Sequence, residues 1–344
     1  TTEIYTLSLH DALPICGVKY AVAVTNGTVA LHLALVVNDI KQGDEVIIPN
    51  FTMIASAFAV CYTGAIPVFV DADTDTWNLD TNKIEEKITQ RTKAIMPVSI
   101  FGQPCDMDKI WELALKYNLT VLEDAAESHG AVYKGRKTGS LADITAFSFY
   151  SNKNLTTGEG GIIVTNKEEL YNKARYYKNL CFPLDAPRDY QHNDIGFNYR
   201  MSNIHAAIGL AQVEKADEYK ALRIKNALLY EDYLKNIPGI TMQKTLSNTT
   251  SVHWMNGIMV NPDLYGKKRS ELIIHLKNNN VETRPFFVGM NKQKSLINFG
   301  CNHAGDYLVT DLLSTNGFYL PSSSKLSQMD IEYICELINY FHKL

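Results

Sequence analysis

The chain has 344 residues, of which 46% are hydrophobic and 20% charged, and its formal net charge at pH 7 is −4. These values are typical of a globular protein and exclude an intrinsically disordered chain, which has fewer apolar residues and a higher net charge. Because the net charge is slightly negative and no block of Lys or Arg occurs, neither nucleic acid nor an anionic membrane is expected as the main partner.

The first sixteen residues differ from those that follow. TTEIYTLSLHDALPIC carries no usable strand or helix pattern, and Glu3 and Asp11 without a basic segment exclude a signal peptide. The segment resembles a translated sequencing adapter. We therefore expect residues 1–16 to be non-native, the native sequence to begin near Gly17, and a genuine N-terminal arm to be missing.

From Lys19 onward, strand-like and helix-like stretches alternate. The predicted strands are YAVAV, EVIIP, PVFV, KAIMPV and LTVLED, and the predicted helices are VALHLALVV, TMIASAFAV, TNKIEEKI and MDKIWELALKY. This alternation predicts a mainly parallel sheet with helices on both faces. The uncharged stretch Val46–Val70 has the length of a membrane span, but its prolines and glycine divide it into a strand, a helix and a strand, so we expect no membrane segment.

Two further strands, ITAFSFY and GGIIVTN, are predicted on either side of Lys153. A helix near residues 167–178 follows, then a loop rich in Pro, Asp and Asn at residues 183–193, and then a helical stretch from about Ser202 to Leu234. These elements complete a large α/β domain, which we predict at residues 17–238.

The character of the sequence changes near Pro238-Gly239. Residues 239–344 predict a smaller α+β domain, with a strand at SVHWMNGIMV, a helix at KKRSELIIHLKN, a short strand entering ETRPFF, and helices near residues 306–313 and 329–342. The six cysteines are scattered without a C-x-x-C pair, so we expect buried free thiols in a reducing cytoplasm and no metal site.

A lysine and a carboxylate follow neighbouring predicted strands. Glu123-Asp124 closes LTVLED, so its side chains emerge at the carboxyl edge of the sheet, where open α/β folds bind ligands. Lys153 follows ITAFSFY. Pyridoxal 5′-phosphate (PLP) requires this pair of groups, because the amine reacts with the cofactor aldehyde and the carboxylate keeps the pyridine nitrogen protonated. We therefore predict PLP as the cofactor.

Two other features suit the phosphate of PLP. Thr25-Asn26-Gly27-Thr28 joins a strand to a helix, and a glycine turn at a helix N-terminus offers free amides and the positive end of the helix dipole. Taken alone, such a turn is more often an ordinary cap. Ser148 adds a hydroxyl five residues before Lys153, and the turn at 158–161 lets the backbone double back under the site. We interpret His129 as a satisfied polar residue.

Four strings carry a family resemblance: TNGTVAL, EDAAESHGAVYKGRKTGSLADITAFSF, KNLTTGEGG and DIGFNYRMSNIHAAIGLAQ. They resemble the DegT/DnrJ/EryC1/StrS aminotransferases, fold-type-I PLP-dependent enzymes that act on nucleotide-linked keto-sugars, and the resemblance runs from about Gly17 to the C-terminus. Within the family, EDAAESHGA, KNLTTGEGG, SVHWMNGI and ETRPFF together most resemble the subgroup that aminates carbon 4 of a GDP-linked sugar. The resemblance implies L-glutamate as amino donor, a nucleotide-linked 4-keto-6-deoxy sugar as acceptor, and a homodimer with shared active sites.

The resemblance also implies roles for matching residues around the cofactor. Lys153 would be the catalytic lysine that bonds to PLP and moves the proton. Asp124 would pair with the pyridine nitrogen, and Glu127 would lie near the ring hydroxyl, where the family often has glutamine. The phosphate would be held by Gly27, Thr28 and Ser148.

Other matching residues are expected at the edges of the site. Asn198 and Arg200 would reach the cofactor of the neighbouring subunit. Arg284 would bind an anionic group of the substrate, with an ordinary surface ion pair as the open alternative. Met53 stands where relatives often place an aromatic ring over the cofactor, and a thioether can still pack there. Ser99 replaces a usual histidine, so no role of that histidine is carried over.

Lys153 favours the aminating enzymes over a related subgroup that has histidine at this position and dehydrates the sugar. Three alternatives stay open. The enzyme could aminate carbon 3, it could use another nucleotide such as UDP or dTDP, or the chain could be a truncated, non-catalytic PLP-binding homologue.

Overall fold

The structure is a computed structural model, and it describes residues 16–184, 187 and 190–344. The expectation that residues 1–16 are non-native falls, except for Cys16, outside the described residues. Part of the loop predicted at residues 183–193 lies outside them as well. All six cysteines are within the described part of the chain, and each is a free thiol.

The central sheet is mainly parallel, as predicted. Residues 16–184 contain the strands β1 (Tyr20–Val24), β2 (Glu45–Pro49), β3 (Ile66–Val70), β4 (Thr92–Ile95), β5 (Thr120–Asp124), β6 (Val132–Tyr133), β7 (Arg136–Lys137), β8 (Ile144–Ser148) and β9 (Gly161–Thr165). Seven of them form one sheet in the order β1–β9–β8–β5–β4–β2–β3. Within this sheet β9 runs antiparallel to both neighbours, and the other pairs are parallel.

The described α-helices that come before residue 240 are α1 (Gly27–Val37), α2 (Ile54–Tyr62), α3 (Met107–Tyr117), α4 (Glu168–Lys178), α5 (Asn203–Val213) and α6 (Ala216–Leu234). The uncharged stretch Val46–Val70 folds as β2, α2 and β3, so the prediction of a strand, a helix and a strand is confirmed. Among the described helices, none combines the length and the apolar character that crossing a membrane requires.

One helix prediction is wrong. TNKIEEKI forms two short 3₁₀ turns, Thr81–Lys83 and Glu85–Lys87, because the Asp80 side chain caps a tight turn and the stretch buries Ile84 alone. The helical stretch predicted from about Ser202 to Leu234 is confirmed, and it consists of two helices, α5 and α6. It breaks between Val213 and Ala216, because α5 packs beside the turn at Thr157 whereas α6 packs against the C-terminal helix.

The C-terminal residues form an antiparallel sheet with its own helices. The elements are β10 (Ile240–Met242), β11 (Thr249–Thr250), β12 (Asn256–Val260), α7 (Pro262–Tyr265), α8 (Arg269–Asn278), β13 (Arg284–Pro285), α9 (Lys294–Phe299), α10 (Leu308–Asn316), β14 (Gly317–Leu320) and α11 (Gln328–Lys343). The sheet order is β10–β12–β14–β13, while β11 pairs with β6. A domain boundary at residue 238 stays a prediction.

The predicted strand SVHWMNGIMV begins later than expected, at Asn256. Its first residues instead bond to the loop that follows β4: the Val252 amide donates to the Gly102 carbonyl at 3.1 Å, and the Trp254 amide donates to the Phe101 carbonyl at 2.8 Å. The C-terminal part of the chain thereby reaches the carboxyl edge of the central sheet.

That edge is where the chemistry predicted from the sequence converges. Because parallel strands end on the same side of a sheet, the residues at the ends of β1, β2, β4, β5 and β8 become neighbours. Asp124 is the last residue of β5 and Ser148 the last of β8, while the turn into α1 follows β1. The fold therefore brings together residues that are far apart in the sequence.

Candidate active site at the carboxyl edge of the sheet

Lys153 is buried at the centre of this edge. Its side chain is 11% exposed, and its Nζ lies 3.5 Å from Glu127 Oε1. The Nζ also lies 3.6 Å from the centroid of the Trp254 ring. Burial lowers the pKa of Lys153, while the negative charges of Glu127 and Asp124 oppose that shift. A lysine with a lowered pKa holds more of the neutral amine, which is the form that attacks an aldehyde.

Asp124 is held by donors on both oxygens. The Ser56 hydroxyl donates to Oδ2 at 2.7 Å and the Ala126 amide donates to Oδ1 at 3.1 Å. Burial raises the pKa of Asp124, whereas these hydrogen bonds and the positive charge of Lys153 act in the opposite direction. A cationic ring nitrogen beside this carboxylate would favour its charged form further, because an opposite charge stabilises a buried ion.

Glu127 connects Lys153 to the backbone of the β4–α3 loop. Its Oε2 accepts a hydrogen bond from the Phe101 amide at 2.8 Å, while its Oε1 faces Lys153. Burial raises the pKa of Glu127, and the charge of Lys153 opposes this. Phe101 has φ of 54°, a left-handed conformation that is strained for a bulky side chain and that turns its amide toward the carboxylate.

The N-terminus of α1 forms a cradle that faces Ser148. A Cβ placed on Gly27 would lie 2.6 Å from the Cβ of Ser148, so no other residue fits there without movement. The first amides of a helix have no acceptor within the helix. The Gly27 and Thr28 amides and the Ser148 hydroxyl therefore suit a phosphate. With Lys153 and Asp124 on the same edge, the residues fit PLP.

Met53 is the N-cap of α2, the helix that also carries Ser56, and its thioether accepts a hydrogen bond from the Ala55 amide at 3.0 Å. Met53 is half-exposed. Through Ser56, this first turn of α2 is bonded to Asp124, which puts Met53 at the same edge of the sheet. No hydrogen bond joins Met53 to Lys153 or Asp124 among the described residues.

Three predicted residues lie on the surface of the single chain. Asn198 and Arg200 are exposed, and Arg200 donates to the Asn179 side chain at 2.7 Å. Arg284 is 77% exposed and pairs with Glu282 at 3.3 Å, which is the surface ion pair considered as the alternative. The structure thus joins Lys153 to Glu127 directly and puts Lys153 within the electrostatic influence of Asp124, whereas no hydrogen bond or ion pair among the described residues links Asn198, Arg200 or Arg284 to them.

Comparison with known proteins agrees with this geometry. Residues 12–339 match the DegT/DnrJ/EryC1/StrS aminotransferase family. The chain belongs to this family. As a member of it, the chain is a PLP-dependent aminotransferase, and its fold class and its cofactor are those predicted from the sequence.

Individual relatives are similar over most of their length. A GDP-perosamine synthase of Escherichia coli O157:H7 is 43% identical over 325 residues, which are 94% of this chain and 86% of the relative. A GDP-perosamine synthase of Caulobacter vibrioides is 44% identical over 320 residues, 93% of this chain and 85% of the relative. The crystal structure of S. venezuelae DesV in complex with a ketimine intermediate superposes with a TM-score of 0.92 at 30% identity, covering 99% of this chain and 90% of that one.

Sequence reasoning missed several residues of this aminotransferase site. Trp254 was visible only inside the string SVHWMNGI, and nothing in the sequence assigns it to Lys153. Ser56 and Phe101 carry no motif, since each reaches the site through a hydrogen bond to a distant carboxylate. The interpretation of His129 is wrong: it is buried between Phe147 and Phe149, and neither ring nitrogen has a hydrogen-bond partner in the described part of the chain.

Ser99 has a structural task of its own. Its hydroxyl donates to Glu123 Oε1 at 3.0 Å, and its amide donates to the carbonyl of Asp124 at 3.2 Å. Glu123 is fully buried on the opposite face of β5 from Asp124, and burial raises its pKa to about 7. Through these two hydrogen bonds, Ser99 stabilises the end of β5, the strand that carries Asp124.

Proposed function

We propose that this aminotransferase moves an amino group from L-glutamate to carbon 4 of a GDP-linked 4-keto-6-deoxy sugar. The observation that carries the chemistry is the buried Lys153 amine beside Glu127 and Asp124 at the edge of the sheet. The substrate class is supported by the two GDP-perosamine synthases, each more than 40% identical over most of its length. The proposal includes a cytoplasmic location.

The residues of the site would divide the work as follows. When bound, PLP supplies a ring that accepts the electrons left on the substrate carbon after a proton is removed. Lys153 holds the cofactor aldehyde and, once released, moves the proton to and from the substrate. Asp124 stabilises the positive charge on the pyridine nitrogen. Glu127 faces the Lys153 amine and would contact the ring hydroxyl.

The cofactor would be anchored at its other end by Gly27, Thr28 and Ser148, with Met53 over the ring. A phosphate dianion at the N-terminus of α1 is stabilised by free amides and by the helix dipole, and the absence of a Cβ at Gly27 leaves room for close approach. Arg284 is proposed for an anionic group of the nucleotide-sugar. In that role it would exchange its exposed partner Glu282 for a phosphate or carboxylate.

We propose a homodimer in which Asn198 and Arg200 complete the neighbouring site. The support is the surface beside them. Helix α5 has the apolar sequence NIHAAIGLAQV, yet Ala206 is its one fully buried residue and Ile204 is 75% exposed. An apolar helix surface of this kind is typical of a protein–protein interface, and in a two-fold dimer it would pack against its own copy.

A complementation assay tests the shared site. Lys153→Ala and Arg200→Ala are each expected to be weakly active. After mixing and subunit exchange, activity should return to at most about a quarter of the unmodified level, because half of the dimers are mixed and each holds one intact site. A mixture that stays as inactive as its components, although sedimentation shows exchanged dimers, would contradict a role for Arg200 in the partner's site.

A panel of keto-sugars tests the substrate. The purified, PLP-loaded protein should lose its cofactor absorbance band on addition of L-glutamate, and the amine-loaded protein should regain it with a GDP-linked 4-keto-6-deoxy sugar. A UDP- or dTDP-linked sugar, or a 3-keto isomer, should react at least roughly tenfold more slowly, since one lost hydrogen bond to a charged group is worth about that factor. Faster reaction with one of those sugars would identify an alternative instead. No response to glutamate would favour the non-catalytic homologue.

A further inference from the structure

Trp254 is the aromatic residue that contacts the reactive amine. It is 5% exposed, and its ring centroid lies 3.6 Å from Lys153 Nζ. We propose that Trp254 is a positioning residue, which holds the Lys153 amine beside Glu127 whenever that amine is not bonded to the cofactor. This inference rests on the proposed role of Lys153.

Hydrogen bonds fix the indole relative to the lysine. The Trp254 Nε1–H donates to the carbonyl of Asn152, the residue before Lys153, at 2.8 Å. The Trp254 amide donates to the Phe101 carbonyl at 2.8 Å, and the Phe101 amide donates to Glu127 Oε2 at 2.8 Å. Since Glu127 Oε1 faces Lys153 Nζ, the contacts form a closed circuit around the amine.

The backbone on both sides of this circuit is strained. Phe101 has φ of 54° and His253 has φ of 44°, and both are bulky residues with positive φ. Gly102, between them in space, has φ of 100°, and a Cβ there would lie 2.9 Å from the His253 amide. Such conformations persist only where the surrounding structure holds them, and they concentrate at functional sites. The strain therefore agrees with a task for the segment that carries Trp254.

The task follows from the reaction. The lysine would leave the cofactor during the first half-reaction and stay unbonded until the end of the second, so its amine must remain within reach to move the proton. Two buried acids, Glu127 and Asp124, attract its ammonium form, and His129 nearby has a pKa that burial lowers to about 3, so it is neutral at pH 7. The face of the indole adds a cation–π contact to one side of the amine. The two carboxylates and the indole together define one resting position for the flexible Lys153 side chain.

Substitution of Trp254 should change the titration of the free Lys153 amine. A cation–π contact stabilises the ammonium form, so Trp254→Leu is expected to lower the pKa of Lys153 by about one unit, a roughly tenfold change in the protonation constant. Trp254→Phe retains an aromatic face and should change that constant by less than about threefold. The leucine variant should also lower kcat with little change in KM, since proton transfer is affected more than substrate binding.

The experiment uses the enzyme converted to its pyridoxamine-phosphate form with L-glutamate, in which Lys153 is free. Acetic anhydride labels lysines at a series of pH values, and peptide mass mapping gives the midpoint for Lys153. Trp111→Leu is the matched control, because the Trp111 indole also donates to a backbone carbonyl, that of Leu141 at 2.7 Å, but packs against a different hydrophobic cluster from the one that contains Trp254.

The expected result is a lowered Lys153 midpoint and a lower kcat in Trp254→Leu, both largely restored in Trp254→Phe, with the Trp111→Leu values unchanged. An unchanged Lys153 midpoint in Trp254→Leu would overturn the proposal, even if kcat falls, because that loss would then be structural. If Trp254→Leu does not fold, Trp254→Phe serves as the test instead. A kcat of Trp254→Phe as low as that of Lys153→Ala would also overturn the proposal. A failure of the proposed function would be recognised separately, because the unmodified PLP-loaded protein would then keep its cofactor absorbance band after addition of L-glutamate.

Discussion

Lys153→Ala is expected to lower the rate of transamination by roughly 10²- to 10⁴-fold, the range typical for loss of a general acid–base group. The variant loses the amine that bonds to the cofactor and the group that moves the proton, and no other lysine contacts Glu127 or Asp124 in the described part of the chain. The measurement is the single-turnover rate of the glutamate half-reaction, followed by the absorbance of the bound cofactor.

The control for this prediction is Lys173→Ala. Lys173 lies on the surface and pairs with Asp39 at 3.1 Å, so its removal should leave the rate within about twofold, as expected for an exposed ion pair. If Lys153→Ala and Lys173→Ala react at similar rates, Lys153 is not the catalytic lysine.

Asp124→Asn is the second substitution with a large expected effect. Asparagine keeps the shape of the side chain and can still accept the Ser56 hydrogen bond, but it carries no negative charge for the pyridine nitrogen. The ring then accepts electrons less well, and we expect kcat to fall on the order of 10²-fold or more, which corresponds to about 3 kcal/mol of lost charge stabilisation.

This loss of activity should occur without a loss of stability. Burial raises the pKa of Asp124, so the folded protein binds a proton more readily than the unfolded chain does. The sign of the linkage means that the charged carboxylate weakens the fold at pH values above its unfolded pKa. Asparagine removes that penalty, and the urea midpoint of the cofactor-free protein at pH 7 should be unchanged or higher.

Asp143→Asn is the matched control for Asp124. Asp143 lies in the turn before β8, at the opposite edge of the sheet, where Oδ2 accepts the Val121 amide at 2.9 Å and Oδ1 pairs with Lys167 at 2.6 Å. Its substitution should weaken the fold and leave kcat within about twofold, the reverse of the Asp124 result. Equal activity of the two variants would remove Asp124 from the proposed role.

The sequence predicted elements whose signals are local. MDKIWELALKY forms α3 with the predicted bounds, because its apolar residues repeat at helical spacing and Asn118 ends it in a left-handed conformation. The strand EVIIP is also β2 with the predicted bounds. The antiparallel direction of β9 could not be read in this way, since a strand's own residues do not specify the direction of its neighbours.

The same distinction holds for the site. Lys153, Asp124 and Ser148 lie at strand ends, and chain order alone puts strand ends at one edge, so the sequence could bring them together. Ser56 reaches Asp124 from α2, and Trp254 reaches Lys153 from the segment just before β12. Contacts of this kind depend on how elements that are distant in the sequence pack together, and a sequence motif does not predict that packing.

The central claim is that Lys153 bonds to PLP, and borohydride reduction tests it most directly. Reduction makes the bond between lysine and cofactor permanent, and peptide mass mapping then identifies the labelled residue. The account predicts the label on the peptide that contains Lys153. Lys178 is the informative competitor, because burial lowers its pKa as well, to about 8. A label on Lys178, or on no lysine while PLP is bound, would contradict the account.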